Sequence, residues 1–237
     1  MDEITVIQIF FAEVIGTALL IFLGTSTCAA NALEKSPARN SGWIFIALGW
    51  GFAVMAGALI STPISGGHLN PAVSLAFLLT GDITIGLFVV YVIAQIIGAM
   101  LGAWLTYIIY LDYFKVQKDG NLLTVFATAP TIKNIPRNFL TETIGTFILV
   151  VLILATTLYT DLAPIFVPLV VVVIGISIGN VTGYAINPAR DFGPRLIYQL
   201  CVKNKNRVDA DWSYQLVPIL GPLLGSALAV LVFTLLV

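Results

Sequence analysis

The chain has 237 residues, 59% of them hydrophobic and 10% charged, with one histidine and two cysteines. Soluble domains carry nearer ~25% charged residues, so this composition excludes an ordinary soluble fold and points to an integral membrane protein. A formal net charge of −1 offers no footprint for nucleic acid, and His68 with Cys28 and Cys201 makes no metal set, so no cofactor and a free thiol pair are expected.

Asp2 and Glu3 stand where a secretory leader would carry basic residues, and the first apolar run is too long for a leader, so no signal peptide is expected. Six apolar runs follow, at about 6–31, 42–60, 84–110, 139–158, 164–181 and 214–237. Each approaches or exceeds the roughly 20 residues that cross a bilayer. Two long polar connections separate them. Residues 111–138 carry Lys115, Lys118, Lys133 and Arg137; residues 201–212 carry Lys203, Lys205, Arg207, Asp209 and Asp211. Both read as solvated loops.

A shorter pattern lies between the second and third runs and again between the fifth and sixth. Asn70-Pro71-Ala72 follows Gly66-Gly67-His68-Leu69, and Asn187-Pro188-Ala189 follows Gly183-Tyr184-Ala185-Ile186. Asn is a preferred N-cap and Pro suits the first helical position, so each copy predicts a helix start. The apolar residues behind them, about 73–79 and 192–200, are too few to span. The order is thus span, span, half-helix, span, twice over. The halves also match in sequence: Glu13 lies in Ala12-Glu13-Val14-Ile15-Gly16-Thr17 and Glu142 in Thr141-Glu142-Thr143-Ile144-Gly145-Thr146. Three spans per half invert the second copy, giving an inverted repeat with half-helices at the membrane midplane. We read one transmembrane domain over 1–237, with repeats at 1–110 and 138–237.

Gly16, Gly57, Gly98, Gly102, Gly145, Gly175, Gly221 and Gly225 read as close-approach positions between helices. A carboxyl inside a span is costly and functional by default. Glu13 and Glu142 admit two readings, a proton-coupling acid or an acceptor for backbone N–H groups of the non-helical lead-ins, placed at about 64–69 and 181–186. Two symmetric acids for two symmetric lead-ins favour the structural role.

The paired Asn-Pro-Ala motifs, the second followed by Arg190-Asp191, resemble the aquaporin and glycerol-facilitator family, the major intrinsic proteins, over essentially the whole chain. The resemblance implies an all-α membrane fold of six transmembrane helices and two re-entrant half-helices, in a homotetramer with one pore per subunit. It implies a central constriction at Asn70, Pro71, Ala72, Asn187, Pro188 and Ala189, and an outer selectivity filter of Trp50, Gly175, Tyr184 and Arg190. Carbonyls of Gly66, Gly67, His68, Thr182 and Gly183 would line the pore, with Glu13, Glu142 and Asp191 structural. Trp50, Gly175, Asp191, Arg195 and Pro218 resemble the glycerol-conducting branch, while Tyr184 departs from its usual Phe. The expected function is a passive plasma-membrane channel for glycerol, water and other small uncharged hydroxylated solutes, including undissociated lactic acid, that excludes ions and protons. The alternatives are a water-selective channel, which Trp50, Gly175 and Asp191 oppose, and a coupled transporter, which lacks further protonatable midplane residues. No catalytic set is readable, so no enzyme is expected. The family's cytoplasmic termini would put the Lys and Arg residues on the outer side, against the positive-inside rule.

Overall fold

The computed structural model describes residues 4–118, 121–158, 163–203 and 207–237; Asp2, Glu3 and Lys205 lie outside them. The described residues contain helices and no strands. In chain order these are α1 (Val6–Ala32), α2 (Trp43–Ser65), α3 (Pro71–Leu79), α4 (Ile85–Ile109), α5 (Leu111–Val116), α6 (Leu123–Phe126), α7 (Ile135–Thr157), α8 (Ala163–Ser177), α9 (Gly179–Thr182), α10 (Pro188–Cys201) and α11 (Leu216–Leu236).

Local chemistry sets the helix starts. Thr5 and Gln8 form a capping box on α1, Thr84 accepts from Leu87 N on α4, and Asn134 accepts from Arg137 N on α7. The Asn134 cap starts α7 four residues ahead of the apolar run, because its first turn is built by a cap and a proline rather than by apolar residues. Five helices, α1, α2, α4, α7 and α11, are long and apolar enough to cross a membrane. The fifth apolar run divides instead. Helix α8 has 15 residues and breaks at Ile178, where φ is −120° and ψ −9°, before the single turn of α9. The two together reach about 30 Å at helical rise, enough for the hydrocarbon layer.

The long helices pack through small residues. A methyl group at Gly98 would land on the Val14 carbonyl and one at Gly102 on the Ala18 carbonyl, joining α4 to α1. Gly221 and Gly225 bring α11 onto Phe139, Glu142 and Thr143 of α7 in the same way. Thr25 and Thr106 add a 2.6 Å hydroxyl contact between α1 and α4. Four other glycines depart from the helix-approach expectation, in whole or part. Gly16 and Gly57 receive the Leu69 side chain, Gly145 receives Ile186, and Gly175 receives Tyr184, while Gly57 also meets the Gly16 carbonyl. They make room for the segments ahead of the half-helices as well as for neighbouring helices.

The polar loops close one end of the molecule together. Gln117 Oε1 accepts from Glu34 N at 2.9 Å, Lys133 Nζ meets both Asp211 carboxylate oxygens at 2.8 Å, and Arg195 Nη2 donates to the Thr128 carbonyl at 2.8 Å. Cys28 and Cys201 are free thiols.

The glycine contacts make a direct test. Gly102→Val and Gly225→Val each force bulk against backbone of a neighbouring helix, which does not yield as a flexible side chain does. Each is expected to cost about 1–3 kcal/mol or more, read as a lowered unfolding midpoint in detergent. Gly86→Val, at a position where an added Cβ meets only Thr84 Oγ1 at 4.0 Å, should leave the midpoint near that of the native chain.

Candidate functional site

Each half-helix is preceded by four non-helical residues. Helix α2 runs through Ser65, and Gly66 (φ 79°), Gly67 (φ 65°), His68 and Leu69 (φ 53°) lead to Asn70. Helix α9 runs through Thr182, and Gly183 (φ 87°), Tyr184 (φ 37°), Ala185 and Ile186 (φ 43°) lead to Asn187. Both lead-ins are shorter than the sequence suggests, because the preceding helices continue up to the left-handed glycines. Leu69, Tyr184 and Ile186 hold positive φ without being glycine, which is uncommon, and for β-branched Ile186 a true outlier. Such conformations cost on the order of 1–3 kcal/mol each and persist only where the surroundings over-determine them.

Two buried carboxylates supply that constraint. Glu13 accepts from His68 N at 3.0 Å and Leu69 N at 2.8 Å, and also from Ser65 Oγ and Gln95 Nε2. Glu142 accepts from Ala185 N at 3.0 Å and Ile186 N at 2.8 Å. The first N–H of each half-helix with a capping bond is bound by its Asn: Asn70 Oδ1 accepts from Ala72 N, and Asn187 Oδ1 from Ala189 N and Arg190 N.

The two asparagines are also cross-linked to the opposite lead-in. Asn70 Nδ2 donates to the Ile186 carbonyl at 2.8 Å, and Asn187 Nδ2 donates to the Leu69 carbonyl at 2.8 Å. An amide nitrogen carries two hydrogens, so each bridge uses one and leaves one. Each amide is thus half engaged, as the tie between the two motifs.

A cavity of about 180 Å³ passes this tie. Its wall includes both asparagines together with Trp50, Tyr184, Arg190, Thr62, His68 and Thr156. Gly66, Gly67, His68 and Leu69 line it from one lead-in and Tyr184, Ala185 and Ile186 from the other. Thr182 and Gly183 differ from expectation. Thr182 is the last residue of α9, fully buried, with its hydroxyl accepting from Tyr184 N at 3.2 Å, and Gly183 packs against Thr128. The cavity wall begins two residues later, at Tyr184, because Thr182 is still helical and Gly183 is the left-handed residue that ends the helix. The remaining lining, with Val54, Leu149, Ile153 and Val171, is apolar.

Trp50, Gly175, Tyr184 and Arg190 come together. The Arg190 guanidinium lies over the Trp50 ring, 3.8 Å from its centroid. Trp50 rests on Gly24, and Tyr184 on Gly175 and Gly179, where an added Cβ would sit 3.0 and 2.6 Å from the tyrosine ring. Gly175 supports the aromatic wall without being part of the cavity surface. Arg190 is 7% exposed, and its guanidinium makes one long hydrogen bond among the described residues, Nη1 to the Phe126 carbonyl at 3.5 Å. Asp191 points away from the cavity. It takes the Arg195 guanidinium at 2.8 and 3.0 Å and accepts from Thr128 N at 2.7 Å, in a fully buried pair. Asp191 therefore pins the segment after Phe126, whose carbonyl faces Arg190. His68 is stacked between Phe77 and Tyr91, at 4.5 and 4.3 Å, with Nδ1 3.1 Å from Ser74 Oγ.

Sequence reasoning missed three contributors. Trp43, at the start of α2, donates its indole N–H to the Gly175 carbonyl at 2.7 Å and meets the Tyr184 ring edge-on at 5.8 Å. Phe126 and Thr128 reach the site from a loop read only as solvated. None has a local signature; each contact joins residues far apart in the chain.

The family model described as Major intrinsic protein matches residues 1–233. A glycerol uptake facilitator protein of Streptococcus pneumoniae is 42% identical over 229 residues, covering 95% of this chain and 97% of that one. A D/L-lactic acid transporter of Lactiplantibacillus plantarum is 36% identical, covering 92% of this chain and 93% of its own length. Among solved structures, the aquaglyceroporin from Plasmodium falciparum is similar with a TM-score of 0.82 and 30% identity, over 97% of this chain and 96% of that one.

The hydrogen bonds above define what should fail. Glu142→Gln sets an amide NH2 against one of the two N–H groups it now accepts from, and should lower stability by about 1–3 kcal/mol. Asp191→Leu strands a buried Arg195 and should cost more, about 3–5 kcal/mol. Unfolding midpoints of the two variants in one detergent check both the losses and their order.

Proposed function

The chain belongs to the major intrinsic protein family, and on that premise we propose that it is a passive membrane channel conducting glycerol. The observation that carries this is the cavity lined both by the bridged asparagines, their lead-ins and Arg190 and by apolar side chains. Arg190 and the remaining amide hydrogens of Asn70 and Asn187 supply donors, and the lead-in carbonyls not used in bridges supply acceptors. Trp50, Val54, Leu149 and Val171 supply the apolar face. A polyol has hydroxyls along one edge and C–H groups along the other, so it can keep its hydrogen bonds while shedding water. Channels of this kind are not enzymes, and nothing in the site calls for bond-making chemistry.

The half-helix starts at Pro71 and Pro188 put two positive dipole ends beside the cavity, with the Arg190 charge near one of them. This opposes cations and protons while neutral solutes pass. Water shares the path. The glycines beneath Trp50 and Tyr184 support a corner of aromatic surface rather than a purely polar aperture, which argues for solutes larger than water. Passage of undissociated lactic acid is a finer proposal, supported by the 36% identical relative that carries that name. We propose further that 1–110 and 138–237 form an inverted repeat, supported by the parallel roles of Glu13 and Glu142, and that the chain works as a homotetramer in the plasma membrane.

Stopped-flow light scattering of proteoliposomes tests the reading. Vesicles in a glycerol gradient should shrink and re-swell quickly, at rates unaffected by sodium or proton gradients. Arg190→Ala and Trp50→Ala should each change the ratio of glycerol to water permeability by about tenfold, the effect of losing one well-placed polar or apolar contact. Rapid shrinkage in sucrose without glycerol re-swelling would establish a water channel instead. Lactic acid entry should rise as pH falls through the acid's pKa, since only the neutral form is carried; uptake independent of pH refutes that extension.

A further inference from the structure

We propose that the His68 side chain is a solute-binding donor of this pore: a hydrogen-bond chain from Glu13 through Gln95 and Ser74 holds the ring hydrogen on Nε2, at the cavity wall, where it meets an acceptor oxygen of the permeating solute. This adds a side-chain role to the pore-wall role of the His68 backbone, and it rests on the reading of the cavity as a solute path.

Glu13 fixes the first link. Its Oε1 accepts from His68 N and Ser65 Oγ, and its Oε2 from Leu69 N and, at 2.7 Å, from Gln95. A carboxylate that accepts at both oxygens is met by an amide through its NH2, so Gln95 presents Nε2. One of the two hydrogens goes to Glu13 Oε2. The other goes to Ser74 Oγ, 3.0 Å from the same nitrogen. The Ser74 hydroxyl is thus an acceptor for Gln95, and the other partner it has among the described residues is His68 Nδ1, at 3.1 Å. Its own hydrogen goes there. A neutral imidazole that accepts at Nδ1 carries its hydrogen on Nε2. Ser74 and Gln95 are fully buried, so solvent does not compete for these bonds.

The surroundings set where that hydrogen points. Phe77 and Tyr91 cover the two faces of the ring, with planes 14° and 21° from parallel to it. Tyr91 is itself held, its hydroxyl donating to the Ser65 carbonyl. With both faces covered and Nδ1 bonded, the edge formed by Cδ2 and Nε2 remains. A Cβ built on Gly66 would lie 3.6 Å from each of these two atoms and, its own chain neighbours aside, within 4 Å of no other described atom. Gly66 is exposed, and Gly66 and His68 both line the cavity. The Nε2 edge therefore borders open space at the cavity wall. The second half has no such group, since Ala185 precedes Ile186 where His68 precedes Leu69. A polyol that has shed water depends on a placed donor more than water does, so the ligand class is a hydroxylated solute.

The chain has a single histidine, so isotopically labelled histidine gives one imidazole whose two nitrogens NMR reads directly in lipid bilayers. The native ring should be neutral with its hydrogen on Nε2. The Nε2 resonance should move with added glycerol and stay in place with sucrose at equal osmolality. Ser74→Ala should spread the hydrogen over both nitrogens. Glycerol and water permeability are then measured on the same proteoliposomes, so that their ratio is independent of how much protein reconstitutes. His68→Phe keeps a flat ring between Phe77 and Tyr91 and should lower the glycerol-to-water ratio about three- to tenfold, the net worth of one hydrogen bond. Hydrogen on Nδ1 in the native chain overturns the proposal. So does an Nε2 resonance indifferent to glycerol, or a His68→Phe ratio within twofold of native. A Ser74→Ala ring that keeps its hydrogen wholly on Nε2 overturns the orienting role of the Glu13–Gln95–Ser74 chain. Native vesicles that stay closed to glycerol refute the channel reading itself, a failure separate from the tautomer, which is read either way.

Discussion

Backbone that leaves the helix in the middle of a hydrocarbon layer has no water to bond to, and every N–H and C=O there needs a protein partner or a wet cavity. Eight residues of this chain, four before each half-helix, are in that position. Glu13 and Glu142 meet the requirement for four of their N–H groups, two apiece. Once those bonds are fixed, the rest of the site follows from them. Those N–H groups are held by the carboxylates on α1 and α7. The positive φ angles at Leu69 and Ile186 aim the carbonyls of these two residues across the centre, where the opposite asparagine meets each one. The pore wall and the tie between the halves are therefore consequences of two carboxylates placed early in two helices.

The glycines complete this arrangement. A bulky residue in the left-handed region needs space for its side chain as well as a bonded backbone. Leu69 finds it over Gly16 and Gly57, Ile186 over Gly145, and Tyr184 over Gly175 and Gly179. These glycines sit on the long helices, close to the carboxylates in sequence: Gly16 follows Glu13 by one turn, and Gly145 follows Glu142 by one turn. The same helix face thus provides a bond to the lead-in backbone and a seat for its side chain.

This explains which features were legible in the sequence. The Asn-Pro-Ala pairs, the buried acids and the apolar runs are local patterns with local causes, and the fold could be laid out from them. The lead-in boundaries were not legible, because Gly66 and Gly183 mark a turn without showing that the helix persists up to it. Thr182 was accordingly placed on the pore and lies in the last turn of α9. The short α8 was equally hidden, since the apolar run reads on to about residue 181, across the break at Ile178. Trp43, Phe126 and Thr128 were invisible for a different reason. Their contacts with Gly175, Arg190 and Asp191 join distant parts of the chain, and Phe126 and Thr128 are buried within a connection whose charges made it read as solvated.

Two arginines on α10 show how burial alone fails to identify a functional charge. Arg190 and Arg195 are both nearly inaccessible, at 7% and 0% exposure. Arg195 is saturated: the Asp191 carboxylate, the Thr128 carbonyl and the Ala210 carbonyl take its fork of N–H groups. It holds the loop above the site in place. Arg190, a little over one turn earlier, has the Trp50 ring beneath it and, among the described residues, a single long bond to Phe126. A guanidinium presents five N–H donors, so most of them remain for whatever enters the cavity. The aromatic face compensates part of the charge without consuming a donor, as a cation–π contact does. The carboxylate next in sequence is withheld from Arg190 by its pairing with Arg195. On the proposed reading of Arg190 as part of the constriction, the buried ion pair would contribute to selectivity indirectly: it keeps Asp191 engaged and so leaves the neighbouring guanidinium for a neutral solute.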